Sequence, residues 1–341
     1  ETVHRLTNAG AVITHTGYGT SQDGFDAEWR EVVFFTFRGD RVDRCEMFDD
    51  VDVDAALARF DELSRPRPSL ENAASRAEEW LFAHSAARDW AAVAEILSGE
   101  SVVDDRRRVV NVGLWDGRDV VIANMQALAQ GLAHVTLTVI ATRGERLALI
   151  IVRSFNSDLE HGEFVIEMLG VAELDADLRI SAHVFFDPDD IDAAFEELDA
   201  RYLAGEAAPH AHTWSVIAGS YAAMNRRELF PTTPDWVNVD HRRPGIFEEG
   251  GLNASLRSLW QLTTDLTFRI EAVHRLTDLG MVCSHVAQGV SQDGFDAEWR
   301  GIEVQTVDGD LIDRCEIFDE ADLDAALARF DEVTAIRPDG G

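Results

Sequence analysis

Near the end of the chain, Arg314 and Glu316 stand two apart in the run DRCEIFD (313–319). In a strand, residues two apart share a face, so the stripe Ile312, Arg314, Glu316, Phe318 would set a guanidinium beside a carboxylate. Facing an internal pocket, such a pair could orient a water or a polar ligand. The same pair recurs as Arg44 and Glu46. Asp240 and His241, in VNVDHRR (237–243), form a second constellation: an imidazole that titrates near neutrality beside a carboxylate suits general-base work. The plainer readings are a solvated ion pair for the first and a turn aspartate with an exposed histidine for the second.

The run GFDAEWR occurs at 24–30 and again at 294–300. Its alternation puts Phe295, Ala297 and Trp299 on one face and Asp296, Glu298 and Arg300 on the other, as in a half-covered strand. Trp214, Tyr221, Asn225 and Trp260 fall on helical stretches and, with Trp299, are candidates for contact with a ligand at a pocket mouth, although aromatic residues at helical spacing more often belong to a core. The histidines are scattered and PHAH (209–212) is the one HxH pair, so no metal site is expected. No Gly-rich phosphate loop, GxSxG or CxxC is present, and no cofactor is expected.

These residues recur because the chain repeats itself. Residues 1–63 align without a gap on 271–333, with 39 of 63 positions identical. A weaker copy lies between: HVFFDPDDIDAAF (183–195) aligns with CEIFDEADLDAAL (315–327), and SVVDDRR (101–107) with VNVDHRR (237–243). The expected domains are 1–65, the C-terminal half of one unit, then complete units at 70–203 and 208–336, each roughly 130 residues. The middle copy reads as two helices broken near Arg88–Asp89, a short strand, and a third helix over 116–132 with Asp116 as its cap. Four long strands follow, then a helix opened by Asp187–Pro188. Helices segregated from a run of strands mean α+β: tandem cone-shaped units, each a curved antiparallel sheet wrapped around helices. Ala182 and Val184 stand where the other copies carry Arg and Glu, and Asp105 aligns with His241, so the middle copy is expected to lack a strand-borne acid–base pair and to be catalytically inactive. Residues 1–63 hold strands and a closing helix but no N-terminal helices, which are expected from preceding sequence or a second molecule.

The helix–helix opening, DWVNVDHRR (235–243) and the strand-to-helix ending DRCEIFDEADLDAAL (313–327) resemble the nuclear transport factor 2-like superfamily, in its SnoaL-like branch. The phrase YLAGEAAP between copies is similar to tandem copies at the C-terminal end of large actinobacterial regulators. The resemblance implies a cone-shaped pocket and pairing of units through the outer faces of their sheets, within the chain or in a homodimer. It also makes Arg314 and Glu316 similar in spacing to the Arg-x-Asp pair of limonene epoxide hydrolases.

A net charge of −33 opposes binding to nucleic acid and to anionic membranes. No apolar run is long enough to span a bilayer. Cys45, Cys283 and Cys315 are expected to be buried free thiols in a reducing compartment, hence a cytoplasmic protein. Two functions fit. One is a set of modules that bind a small apolar molecule, or each other, in the C-terminal region of a larger regulator. The other is a SnoaL-like isomerase, cyclase or epoxide-hydrolase-type enzyme acting on a hydrophobic substrate through Asp240, His241, Arg314 and Glu316.

Overall fold

The computed structural model describes residues 2–7, 10–20, 26–38, 41–63, 70–109, 113–130, 132–156, 165–242, 251–263, 265–290 and 296–335. The chain divides into two compact units, Glu1–Ser69 and Leu70–Gly341.

In the first unit, β1 (Thr2–Thr7), β2 (Gly10–Thr20), β3 (Asp26–Arg38) and β4 (Arg41–Asp49) form an antiparallel meander, followed by α1 (Val53–Leu63). The period of two decides what α1 covers. Val12, Val32 and Phe34 point to one face, where Ala56 and Phe60 of α1 bury them. On the other face Met47 is 68% and Trp29 48% exposed, and Cys45 is exposed as well. The expectation of three buried thiols therefore holds only for Cys283 and Cys315. Cys45 lies on the face that α1 does not cover. Partial burial, then Glu31 and Glu46, raise its pKa, so it should react slowly at neutral pH. A native chain treated with a thiol-specific chromophore should release one equivalent, and three after denaturation. Three equivalents from the native chain would contradict this packing.

In the second unit the first half runs α2 (Ala73–Ala86), α3 (Trp90–Ile96), β5 (Leu97–Asp105), β6 (Gly113–Asp116) and α4 (Arg118–Leu128). It continues with β7 (Leu132–Arg143), β8 (Leu147–Asn156), β9 (Val165–Leu174), β10 (Ile180–Phe186) and α5 (Ile191–Ala204). The second half runs α6 (Ala211–Asn225), β11 (Thr232–Asp240), α7 (Leu252–Leu262), β12 (Thr267–Thr277), β13 (Gly280–Val290), β14 (Asp296–Asp308), β15 (Leu311–Phe318) and α8 (Leu323–Ala335). The architecture is α+β. Asn72 caps α2 in a capping box with Ser75. Asp89 caps α3 and Arg88, at φ 57°, makes the break between them. Two helix starts differ from the sequence expectation. Asp116 belongs to β6, and α4 opens after Gly117. Asp187 accepts from Arg108 instead of capping a helix, and α5 opens four residues later.

Among the described residues the strands of this unit make one sheet in the order β11-β15-β14-β13-β12-β7-β8-β9-β10-β5-β6. Strands β7–β10 and β12–β15 are antiparallel runs, and each is extended by a parallel strand, β5 on β10 and β11 on β15. The two halves meet edge to edge, β12 alongside β7 with Ala272 opposite Thr142. They were expected to pack face to face. Sheet edges present unpaired backbone groups, and Arg143 supplies what the short ladder lacks. It is 1% exposed, donates to the carbonyls of Ile270 (3.0 Å) and Thr142 (2.9 Å), and pairs with Asp199 of α5 at 2.8 Å.

Side-chain alternation gives each half two cores. In the first, Ala148, Ile150 and Val152 face α2, α3 and α4, whereas Leu147 and Leu149 face α5. In the second, Met281, Cys283, Cys315 and Ile317 face α6 and α7, whereas Val282, Val304 and Phe318 lie beneath α8. The helices that open each half thus line the inside of a cone, and the helix that closes it lies on the outer face.

Candidate active and ligand-binding site

The first-half cone holds a cavity of about 440 Å³. Leu81, Val103, Val121, Val152, Met168 and Phe185 give it apolar walls. Two polar pairs break them. Glu78, on the buried stripe of α2 with Ala74 and Leu81, is fully buried. Its Oε1 accepts from His183 Nε2 of β10 at 2.6 Å, while its Oε2 has no hydrogen-bond partner among the described residues. His183 is 5% exposed and its ring stacks on Phe185, two residues on along the strand. The second pair is Asp105, at the end of β5, clamped by Arg107 through Nε (2.8 Å) and a terminal nitrogen (2.7 Å).

Neither Glu78 nor His183 was singled out from the sequence. The readable signal was a glutamate in register with Ala74 and Leu81, where a helix buries its face. His183 has a position of its own in the repeat, since it aligns with Cys315. The expectation that this half lacks a strand-borne acid–base pair does not extend to this one. The pair is shared between a helix and a strand rather than carried on one strand.

The predicted residues Arg314, Glu316 and His241 do come together, but outside the cone. The buried Glu316 carboxylate accepts from Arg314 at 2.5 Å, from Arg329 of α8 at 3.0 Å and from His241 at 2.7 Å, and the His241 ring stacks on Phe318 at 4.3 Å. Burial alone would raise this carboxyl, but the hydrogen bonds from Arg329, His241 and Arg314 outweigh it and hold the pKa below the usual range. The cluster fastens α8 to the sheet. In the first unit Glu46 takes the same two kinds of partner, Arg44 at 3.1 Å and Arg59 of α1 at 3.4 Å.

The equivalence of Asp105 with His241 is also revised. Phe185 pairs with Asp105, and its counterpart Ile317 pairs with Asp240. Asp240 is clamped by Arg242 as Asp105 is by Arg107. The alignment is therefore one residue out, and a one-residue slip moves a strand side chain to the opposite face. His241 corresponds to Arg106, which pairs on the outer face with Glu197 of α5 at 3.0 Å.

The second-half cone carries a different polar set. The Tyr221 hydroxyl donates to Glu303, which also accepts from Gln305 at 3.1 Å and from the Cys315 thiol at 3.4 Å. Burial, reinforced by Cys283 and Glu303, pushes the Tyr221 hydroxyl well up. Burial lowers the pKa of His285, whose Nδ1 is 3.6 Å from Glu303. The strand pairing places Gly170 of β9 where this half has Glu303. A side chain at Gly170 would press on Phe185 and Ile150 at 3.0 and 3.2 Å.

The remaining candidates serve packing. Trp214 is buried at the joint between the halves, against the Tyr202 ring and beneath Arg143. Asn225 pairs both ways with the Phe268 backbone, at 2.6 and 3.0 Å. Trp260 and Trp299 are half-buried against the same core, and the Trp260 indole N–H makes no hydrogen bond among the described residues. Phe295 lies outside the described residues.

No family model matches the chain, and no curated protein matches it. Solved structures do. A Mycobacterium tuberculosis protein in complex with estradiol-17β-hemisuccinate is 12% identical, covering 34% of this chain and 93% of its own, with a TM-score of 0.29. The epoxide hydrolase/cyclase-like enzyme SalBIII of salinomycin pyran ring formation is 14% identical, covering 33% and 88%, with a TM-score of 0.28. A Mesorhizobium loti protein assigned to the SnoaL-like polyketide cyclases is 9% identical, covering 33% and 96%, with a TM-score of 0.27. In the order of its elements and the pairing of its strands, each half of the second unit is an α+β cone, a curved antiparallel sheet wrapped around helices.

Proposed function

We propose that the first-half cone binds a small, largely apolar molecule. The observation that carries this reading is a cavity of about 440 Å³ with apolar walls and a buried Glu78–His183 pair. That volume lies within the range of roughly 300–1,000 Å³ usual for small-molecule sites. Native mass spectrometry of the purified chain should reveal a retained or added apolar molecule at one equivalent. Met125→Trp, which fills the cavity from α4, should weaken that binding at least about tenfold while melting within a few degrees of the parent. Undiminished binding in this variant would move the site elsewhere. The wider role, as the ligand-sensing part of a larger regulator, rests on the resemblance of the tandem copies and the YLAGEAAP phrase.

A second reading is an enzyme of the isomerase, cyclase or epoxide-hydrolase type, and the Glu78–His183 pair favours it. A carboxylate hydrogen-bonded to an imidazole at an apolar cavity can take a proton from a bound substrate or from a water and return it. Turnover of a hydrophobic substrate by the intact chain, lost in Glu78→Gln with binding retained, would establish this reading. Equal turnover in that variant would dismiss it.

A further inference from the structure

We infer that the first-half cavity selects an elongated apolar molecule with a hydroxyl at each end, one read by Glu78 and the other by Ser85. This rests on the cavity being a binding site and adds the chemistry of its occupant.

Two polar atoms of the cavity wall are buried and have no hydrogen-bond partner among the described residues, Glu78 Oε2 and Ser85 Oγ. A buried polar atom left unpaired costs roughly 1–3 kcal/mol. A serine inside a helix can bond back to the carbonyl one turn earlier, and among the described residues Ser85 Oγ has no such partner. The fold itself does not require the carboxylate. The break after α2 falls at Arg88 (φ 57°) and the break after α6 at Arg227 (φ 60°), which aligns Glu78 with Ile217. Ile217 is fully buried in the same unit, and Cys315 stands where the first half has His183. An apolar residue therefore serves at this helix position, and Glu78 is there at a cost that a ligand can offset.

The atoms define the ligand. A carboxylate oxygen only accepts, so the group reaching Glu78 must donate. Ser85 both donates and accepts, and a hydroxyl satisfies it in either sense. Both residues line one side of the cavity on α2, seven residues apart, so their positions are separated by about 10 Å along the helix axis. Between them the wall is Leu81 and Phe82, with Val152 and Met168 among the residues opposite, which calls for an unbroken apolar body.

Three rigid probes of one shape separate the terms: biphenyl, 4-hydroxybiphenyl and 4,4′-dihydroxybiphenyl. Equilibrium dialysis against the full chain should rank the diol tightest, with each hydroxyl worth about tenfold in affinity. In Glu78→Ile/His183→Cys, which copies Ile217 and Cys315, one of those two steps should vanish while biphenyl binds at least as well. Ser85→Ala should likewise leave a single step, because 4-hydroxybiphenyl can turn its hydroxyl to whichever site remains, and the three changes combined should leave none. Should the three probes bind the parent chain equally, the cavity stands as a binding site and the hydroxyl reading falls. If none of them binds, both readings fall. Two undiminished hydroxyl steps in both variants would place their origin outside α2 and overturn the inference.

Discussion

Replacing Glu316 with alanine should lower the stability of the second unit by about 3 kcal/mol, toward the lower end of what breaking a buried ion pair costs. Three donors, on β15, α8 and the end of β11, converge on this one fully buried carboxylate. Truncation leaves two guanidiniums and an imidazole facing each other across an empty space. Arg314 and Arg329 are only partly buried and can turn to solvent, which keeps the loss below the extreme. The first unit supplies a control. Glu46 meets Arg44 and Arg59 in the same arrangement, but its side chain is 30% exposed, so Glu46→Ala should cost under about 1 kcal/mol. Acid should separate the two further. The folded-state pKa of Glu316 lies below its unfolded value, so its contribution is complete above the unfolded pKa and is lost as pH falls through the folded one. The stability gap between the parent and Glu316→Gln should therefore stay level above about pH 5 and close below it. Urea melts at a series of pH values measure this, and a gap that widens on acidification would contradict the assignment.

The opposite sign is expected for the other buried carboxylate. Glu78→Ile/His183→Cys should raise stability by about 1–3 kcal/mol, because exchanging a buried polar pair for packed apolar groups is often favourable and the unpaired Oε2 disappears with it. Thermal unfolding without ligand is the measurement. A loss of stability would mean that the Glu78–His183 hydrogen bond holds α2 to β10 for structural reasons, and the case for a ligand at this oxygen would lose its main support. Two carboxylates with equally buried side chains thus carry contrary expectations, set by whether each has its full complement of donors.

Much of the fold was legible from alternation and repetition. The four-strand runs, the helices broken at Arg88–Asp89 and the closing helices follow from side-chain period and turn residues. The inside of the cone was not. Parity states which residues share a face, so Arg314 and Glu316 were correctly grouped, but it does not state which face is inside. That was settled by where α8 packs. The Asp105–His241 alignment failed by one position because SVVDDRRR (101–108) matches VNVDHRR (237–243) at four positions in either register, and only the backbone pairing of Phe185 and Ile317 separates them. Glu78 escaped notice because glutamate on a helix normally faces water, and its partner lies 105 residues away.

The manner in which the halves are joined bears on how the chain can be dissected. Tyr202 closes α5, Trp214 opens α6, and the two rings pack edge to face at 5.3 Å with Arg143 beside them. A cut in the short stretch between these helices, where the repeat suggests a boundary, would leave an aromatic surface on each fragment and an unpaired strand edge along β7 and β12. Each piece would carry an adhesive margin and tend to precipitate or to find a copy of its lost counterpart. Expression clones for crystallography or screening are better cut before Leu70, with both halves kept on one polypeptide, and calorimetry of that clone should trace a single endotherm.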